Sequence, residues 1–440
     1  MSPLAEICLN AGYRVSGTDK QKSPITERLT ALGAVVYDFH HQDHIKDAKT
    51  IVYSSAIDDS NAERLAANQS GKVCIHRSHL LKTLLADFKA ITVAGTHGKT
   101  TTAALISHVL NGLNKFPFAA VGGVMNGFKS SALHGMGDLF VAEADESDGS
   151  LTSYWPHIGV LNNIDDDHMD FYQDSLHLAQ VFEQYCQQIS KDGALIVGWD
   201  NPASRQIGNQ FIGRKLAFGF TLGCDVRAMD YQCSGGISTF KAIVERDVFS
   251  CRMPLIGKHN VANALAALGV VRALEYDVGT SSQLLDTFQG VQRRLDCILN
   301  LSHLKIFDDY AHNPEKIMAI QSAIKDSWPE FKILSLFQPH RYSRTLSLFN
   351  GFCRGFSKSD KVVLLPVYGA GESIDPSFDQ SVFAREIAGQ SQTFCQGVSD
   401  FAEAVKIAKE TILKDGPWII LTIGAGDIWK LSIELKENLA

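Results

Sequence analysis

Three features of this 440-residue chain predict an α/β fold built on parallel sheets. Short, continuously apolar segments recur between amphipathic stretches, as in sheets covered by helices on both faces. One of them, residues 90–94, runs straight into the glycine-rich turn Gly95-Thr96-His97-Gly98-Lys99-Thr100-Thr101 and then a helix. Nearly every polar cluster follows the C-terminal end of such a segment, the edge where open parallel sheets bind ligands.

The elements fall into three segments. Residues 1–88 open with an apolar helix at 4–10 and alternate strands at 13–17, 34–37, 50–54 and 72–75 with amphipathic stretches, which makes a small α/β unit. Residues 89–296 carry buried strands at 90–94, 139–142, 158–161 and 194–197, and a helical pattern at 261–274. Residues 297–440 again alternate strand and helix, with strands at 304–307, 333–337, 361–367 and Trp418–Ile423.

Hydrophobic residues at 45% and charged residues at 20% describe an ordinary globular composition, and 440 residues suffice for two to four cored domains. A net charge of −7 without a long Lys/Arg run argues against a nucleic-acid surface. Nine cysteines, an odd number without a C-x-x-C pair, fit reduced thiols better than a disulfide frame or a zinc site. No apolar run reaches transmembrane length and Met1-Ser2-Pro3 does not open a signal peptide, so a cytoplasmic protein is expected, as a monomer or weak homodimer.

The turn at 95–98 lets backbone N–H groups converge on phosphate oxygens, and the helix after it presents its positive end there. Lys99 is placed to reach β- and γ-phosphates and Thr100 to hold Mg²⁺. Val93 stands where the common pattern has its first glycine, so the spacing is shortened. Two acidic loops follow strands of the same segment: Glu143-Ala144-Asp145-Glu146-Ser147-Asp148, and Asp165-Asp166-Asp167-His168. Glu143 is the first candidate for the metal, and His168 offers an imidazole to a second one. A solvated acidic surface is the plainer alternative for such loops.

His259, Asn260 and Asn263 gather where a helix begins after Gly257. Asn amides carry the donors and acceptor that match an adenine edge, but an Asn before an apolar helix also serves as a cap. Farther on, Asp308-Asp309-Tyr310-Ala311-His312-Asn313-Pro314 ends a strand and starts a helix, with Asn313 as cap and Pro314 in the first helical position. His340-Arg341-Tyr342-Ser343-Arg344-Thr345 follows the next strand; its arginines suit a carboxylate-bearing substrate, with a basic surface turn as the alternative.

In this order the motifs resemble the Mur ligase family, over essentially the whole chain. The resemblance rests on residues 95–101, 143–147, Asp167-His168-Met169-Asp170, 257–263, Arg293-Arg294, Asp309-Tyr310-Ala311-His312 and Gly424-Ala425-Gly426. Ser54-Ser55-Ala56-Ile57, residues 340–345 and Tyr368-Gly369-Ala370-Gly371-Glu372 narrow it within the family. It implies three domains: a Rossmann-like one for the uridine nucleotide (1–88), a central ATPase with a mostly parallel sheet (89–296), and a C-terminal Rossmann-like domain that closes over them (297–440). It further implies an amide bond formed between UDP-N-acetylmuramate and L-alanine through an acyl phosphate, with ATP and Mg²⁺.

The roles implied are specific. Gly95, Thr96, His97, Gly98, Lys99, Thr100 and Thr101 hold phosphates. Thr100, Glu143 and His168 hold metal, and His259, Asn260 and Asn263 hold adenine. Arg294 meets the γ-phosphate, and Asp309 meets the nucleotide from the third domain. Ser54, Ser55 and His312 face substrate, while His340, Arg341 and Arg344 place the alanine.

Two departures shape the expectations. Asn313 stands where relatives often carry a second histidine. The family also opens with a strand and a glycine-rich turn ahead of the residues matching Met1-Ser2-Pro3-Leu4, so an interrupted first sheet and an incomplete UDP site are expected. A murein tripeptide ligase, a folylpolyglutamate synthase and a non-catalytic nucleotide-binding relative are the competing readings. Residues 340–345 oppose the first, residues 1–88 the second, and the joint presence of Lys99, Glu143, His168 and Arg294 the third.

Overall fold

A computed structural model describes all residues except 21, 166–171, 173, 414, 415 and 440. The chain forms two compact units, one of residues 1–230, 240–252 and 262–289, the other of residues 231–239, 253–261 and 290–440.

The first unit begins with four short strands, β1 (Ser16–Thr18), β2 (Val35–Tyr37), β3 (Thr50–Tyr53) and β4 (Val73–His76). They pair in parallel as β1–β2 and β3–β4, and among the described residues no strand joins the two pairs. Ten further strands make one sheet. They are β5 (Lys89–Ala94), β6 (Phe118–Met125), β7 (Ser130–Leu133), β8 (Leu139–Glu143), β9 (Ile158–Leu161), β10 (Ala194–Gly198), β11 (Lys215–Gly219), β12 (Val226–Ser234), β13 (Ile237–Val244) and β14 (Asp247–Met253). Their order is β14-β13-β12-β11-β10-β9-β5-β8-β6-β7.

β5 lies between β8 and β9, parallel to both. Its residues 90–94 are buried because helices cover both faces, which is why the run is continuously apolar. The register sets Val93 opposite Glu143 and Ala94 opposite Leu161. Three strands therefore deliver their next residues to one edge. The sequence reading placed no strand at 118–133 or 226–253. β6 contains Gly122 and Gly123, poor strand formers, and β12 passes from buried Val226 and Ala228 to exposed Asp230, Gln232 and Ser234 on the same face, so it carries no steady apolar pattern.

The helices Ser2–Asn10 and Arg77–Leu85 bury Leu4, Ile7, Leu81 and Leu85 in the same apolar cluster as Ala90, Phe140 and Ala142. Glu6 is carried into this region and is fully served there. Arg28 donates to it from Nε (3.0 Å) and Nη2 (2.6 Å), and Ser130 Oγ donates at 2.8 Å.

The second unit holds a six-stranded sheet of β15 (Asp296–Asn300), β16 (Leu304–Asp309), β17 (Lys332–Phe337), β18 (Lys361–Leu364), β19 (Phe394–Gly397) and β20 (Trp418–Ile423). The order is β15-β16-β20-β17-β18-β19, parallel except at β15–β16. Strand alternation splits its core in two: Ile333, Phe337 and Leu421 pack on one face, Leu334, Leu336 and Ile420 on the other. Asp309 and Phe337 both stand level with Ile423, so residues 310, 338 and 424 leave the same edge.

Asn313 caps the helix Pro314–Ser327, its side chain accepting from the Lys316 N–H at 3.0 Å. Replacing Asn313 with Ala removes that acceptor and should cost about 1 kcal/mol, read as a lowered urea midpoint at unchanged m. An unchanged midpoint would deny the cap any weight.

Candidate active site

The turn at residues 95–98 is built by backbone geometry that only glycine takes easily. Gly95 has φ +128° and Gly98 φ +81°, and a Cβ on Gly98 would stand 2.4 Å from Asn263 Oδ1. The helix Lys99–Gly112 starts at Gly98 with no side-chain cap, which leaves its first-turn N–H groups to serve an anion. Residues beyond the turn brace it. Asn163 accepts from the His97 N–H (2.8 Å), Asn162 donates to the His97 carbonyl (3.1 Å), and Thr96 N–H reaches the Asn163 carbonyl (3.1 Å). The His97 ring lies 3.3 Å from Asp165. Asn162 also donates to Thr102 Oγ1, which donates in turn to Asn263 Oδ1, both at 3.1 Å.

Thr100 and Glu143 lie side by side: Thr100 Oγ1 donates to Glu143 Oε2 at 3.1 Å, and the other carboxylate oxygen accepts from the Gly122 N–H. Two hard oxygen donors converging beside a phosphate-binding turn fit Mg²⁺. Lys99 holds the Gly95 carbonyl (2.7 Å) and both oxygens of Glu146, each at 2.8 Å. Burial works against the charged ammonium, but Glu146 and then Asp145 outweigh it and hold Lys99 above the ordinary lysine value. The Glu146 side chain is 1% exposed, and the Tyr172 hydroxyl donates to its carbonyl.

On the same unit Ser55 follows β3, its Oγ 3.0 Å from His76 Nε2 and donating to Asp148 Oδ2 at 3.3 Å. Ser54 stands beside it at the strand end, its carbonyl accepting from the Ile57 N–H. His168 lies outside the described residues.

The other candidates lie on the second unit, apart from Asn263. His259 and Asn260 begin the helix Lys258–Ala273, with Asn260 Nδ2 donating to the Ile256 carbonyl at 2.8 Å. Arg294 lies 5.0 Å from the Tyr310 ring centroid, as does Arg293, which also donates to Asp308 (3.3 Å) and to the Gly424 carbonyl (2.5 Å). Asp309 accepts from Leu295 N–H (2.6 Å) and Ala311 N–H (2.7 Å), so it ties the Arg293–Arg294 turn to the end of β16. Burial pushes its carboxyl up to about 6 against the pull of Arg294. His312 Nδ1 lies 2.9 Å from the Tyr310 carbonyl.

After β17, His340 stacks on Tyr368 (5.7 Å between centroids, 15°) and Arg344 Nη1 donates to His340 Nδ1 at 3.3 Å. Arg341 has φ +66°, a strained value for a side chain of its size. It is held there by its N–H to the Tyr368 carbonyl (2.9 Å) and by Thr345 Oγ1 on its own carbonyl (2.7 Å). Glu372 accepts from the N–H (3.1 Å) and hydroxyl (2.6 Å) of Ser343. Burial first, then Arg344 and Arg341, draws His340 down to about 4.

Sequence reasoning missed Glu146, Asn162, Asn163 and Arg77 as parts of the site. Asn162-Asn163 follows a strand directly, as Glu143 ends one, and that position was the available signal.

Such a turn, its paired threonine and carboxylate, and a second Rossmann-like unit with basic edges define a nucleotide-dependent ligase class. Three family models match in order: "Mur ligase family, catalytic domain" over residues 1–89, "Mur ligase middle domain" over 93–271 and "Mur ligase, glutamate ligase domain" over 293–426. The chain belongs to the Mur ligase family. It is 36% identical over 443 residues to the UDP-N-acetylmuramate–L-alanine ligase of Desulforapulum autotrophicum, covering 100% of this chain and 96% of the relative. The enzyme of that name from Endomicrobium trichonymphae is 37% identical over 437 residues, covering 99% and 95%. The crystal structure of UDP-N-acetylmuramate-alanine ligase from Thermotoga maritima matches with TM-score 0.86 at 25% identity, over 100% of this chain and 96% of that one. A murein peptide ligase from Psychrobacter arcticus shares the fold at TM-score 0.73 and 19% identity, over 100% and 97%.

The desolvated His340 gives a pH signature. Its value falls from the ordinary 6.5 to about 4 on folding. Between those values the unfolded chain takes up a proton that the folded chain refuses, so this group makes stability fall as pH drops through the window. In His340→Gln the contribution vanishes, and the urea midpoint should fall less between pH 6.5 and 4 than in the parent. Equal slopes would mean that folding does not desolvate the ring.

Proposed function

We infer that the chain joins UDP-N-acetylmuramate to L-alanine through an amide bond, driven by ATP, in peptidoglycan precursor synthesis. Relatives bearing that activity in their names match the full length. The observation that carries the chemistry is the convergence of Lys99, Thr100 and Glu143 on one sheet edge beside an uncapped helix N-terminus.

A carboxylate is a poor acyl donor. The lactyl carboxylate of the muramyl group therefore attacks the γ-phosphorus of ATP, giving an acyl phosphate and ADP. The alanine amine then attacks the acyl carbon and inorganic phosphate leaves. Lys99 places positive charge on the phosphoryl group in transit, and the N–H groups of the 95–101 turn hold its neighbours. Thr100 and Glu143 would hold an Mg²⁺ brought by the nucleotide, which would supply charge neutralisation at the phosphates, and His168 is proposed for a second ion. Asn263, set beneath Gly98, shapes the loop as well as contributing with His259 and Asn260 to adenine.

Arg294 is assigned to the γ-phosphate, and Asp309 to the nucleotide, by fixing the turn that carries Arg294. Ser54, Ser55 and His312 are assigned to the muramyl nucleotide. Arg341 and Arg344 grip the alanine carboxylate, beside a His340 that stays neutral at pH 7. We divide these tasks among three segments, 1–88, 89–296 and 297–440. The nine free cysteines, and the absence among the described residues of a helix long and apolar enough to cross a membrane, support a cytoplasmic location.

Phosphate release with ATP and UDP-N-acetylmuramate should depend on L-alanine, and not on a murein tripeptide or a folate. Lys99→Ala should lower kcat by a few hundred-fold, about 3–4 kcal/mol, with the far-UV spectrum retained because Glu146, once the ammonium is gone, takes up a proton. Near-parental turnover in the folded variant would remove Lys99 from the reaction. Arg341→Ala should raise KM for L-alanine at least about tenfold, a loss of roughly 1.4 kcal/mol, and KM for ATP far less. An equal rise in both would make 340–345 a structural turn.

A further inference from the structure

Arg77 stands outside every role assigned so far. It opens the helix Arg77–Leu85 directly after β4, and its Nη2 donates to Asp145 Oδ2 at 2.7 Å and to Asp148 Oδ2 at 2.6 Å. These aspartates flank Glu146, whose carboxylate holds the Lys99 ammonium. One guanidinium therefore grips the loop on both sides of the residue that neutralises Lys99. The same Asp148 oxygen accepts from Ser55, so the grip extends to the end of β3. Asp148 is 8% exposed, which makes this a largely desolvated, charge-assisted contact rather than a solvated surface pair.

We propose that Arg77 is a positioning residue that couples the Ser55 side of the site to Lys99, so that the nucleotide sugar and the adenine nucleotide strengthen each other's binding. The proposal rests on the assignments of Ser55 and Lys99 made above. A nucleotide sugar that engages Ser55 takes the hydroxyl away from Asp148. Asp148 Oδ2 then leans harder on Arg77, its other oxygen still accepting from the Ser150 N–H and His76 Nε2 lying 3.7 Å away. Arg77 shifts its hold on Asp145, and the loop between them moves Glu146 off the ammonium. A phosphate oxygen needs that same ammonium. Binding at Ser55 thus removes an internal competitor of the nucleotide, and reciprocity makes the effect mutual.

The test is the Kd of the full chain for MgADP by equilibrium dialysis, without and with saturating UDP-N-acetylmuramate. In the parent the sugar nucleotide should tighten MgADP about fivefold or more. In Arg77→Gln the factor should fall to near one, while either ligand alone binds within about threefold of the parent. Glu146→Gln, which frees Lys99 in advance, should bind MgADP more tightly than the parent when no sugar nucleotide is present. Asp148→Asn removes the charge from the same path while leaving Arg77 in place, should lose the coupling too, and carries the test if Arg77→Gln does not fold. Full coupling in a folded Arg77 or Asp148 variant, no coupling in the parent, or weaker MgADP binding in Glu146→Gln would overturn the proposal. A parent that binds no MgADP at all would instead defeat the phosphate-loop assignment, and this proposal with it.

Discussion

A lysine ammonium drawn into a protein interior must find a counter-charge, because leaving it unpaired costs several kcal/mol. Glu146 meets that requirement for Lys99 with both oxygens, and the consequences reach outward. The loop carrying Glu146 has to be held still, which Tyr172 does through its backbone and Arg77 through the flanking aspartates. The turn carrying Lys99 has to be held against the neighbouring strand, which Asn162 and Asn163 do. The pair also keeps the lysine charged, the only state useful to a phosphate.

Both units solve the problem of presenting polar groups from an apolar sheet in the same way. Central parallel strands are buried on both faces, so polar residues within them, such as Thr92 and Ser335, are tied up internally, and those open to a ligand stand where the strand ends and the backbone turns out. In the first unit β5, β8 and β9 end level with one another and deliver the glycine turn, Glu143 and the asparagine pair. In the second, β16, β17 and β20 deliver Asp309, His340 and Gly424.

Backbone strain marks the basic turn of the second unit at Arg341. A non-glycine φ of +66° at Arg341 costs about 1–3 kcal/mol and persists only because surrounding bonds over-determine it. Tyr368 serves twice, through its carbonyl on Arg341 and its ring on His340. These bonds fix the backbone at Arg341, while its side chain stays exposed.

Local physics made much of this legible in the sequence. A continuous apolar run bounded by Gly95 and Gly98 specifies a strand, a turn and a helix start without reference to the rest of the chain. Asn313-Pro314 specifies a helix start in the same way. The Thr100–Glu143 meeting was inferable because both follow strands of one sheet. Strands with weak local signal were not legible: β6 carries two glycines, and β12–β14 are half-solvated, so their pairing depends on neighbours far along the chain. The strand-end position singled out Glu143 in the sequence, but nothing there told that Glu146 is the carboxylate that faces Lys99. That choice was made by tertiary structure, since β8 ends at Glu143 and the next residues are bent back by Arg77 and Tyr172, distant in sequence. Chemistry that resides in a strand end and its turn is written locally; chemistry that requires two buried charges to meet is decided only when the chain has packed.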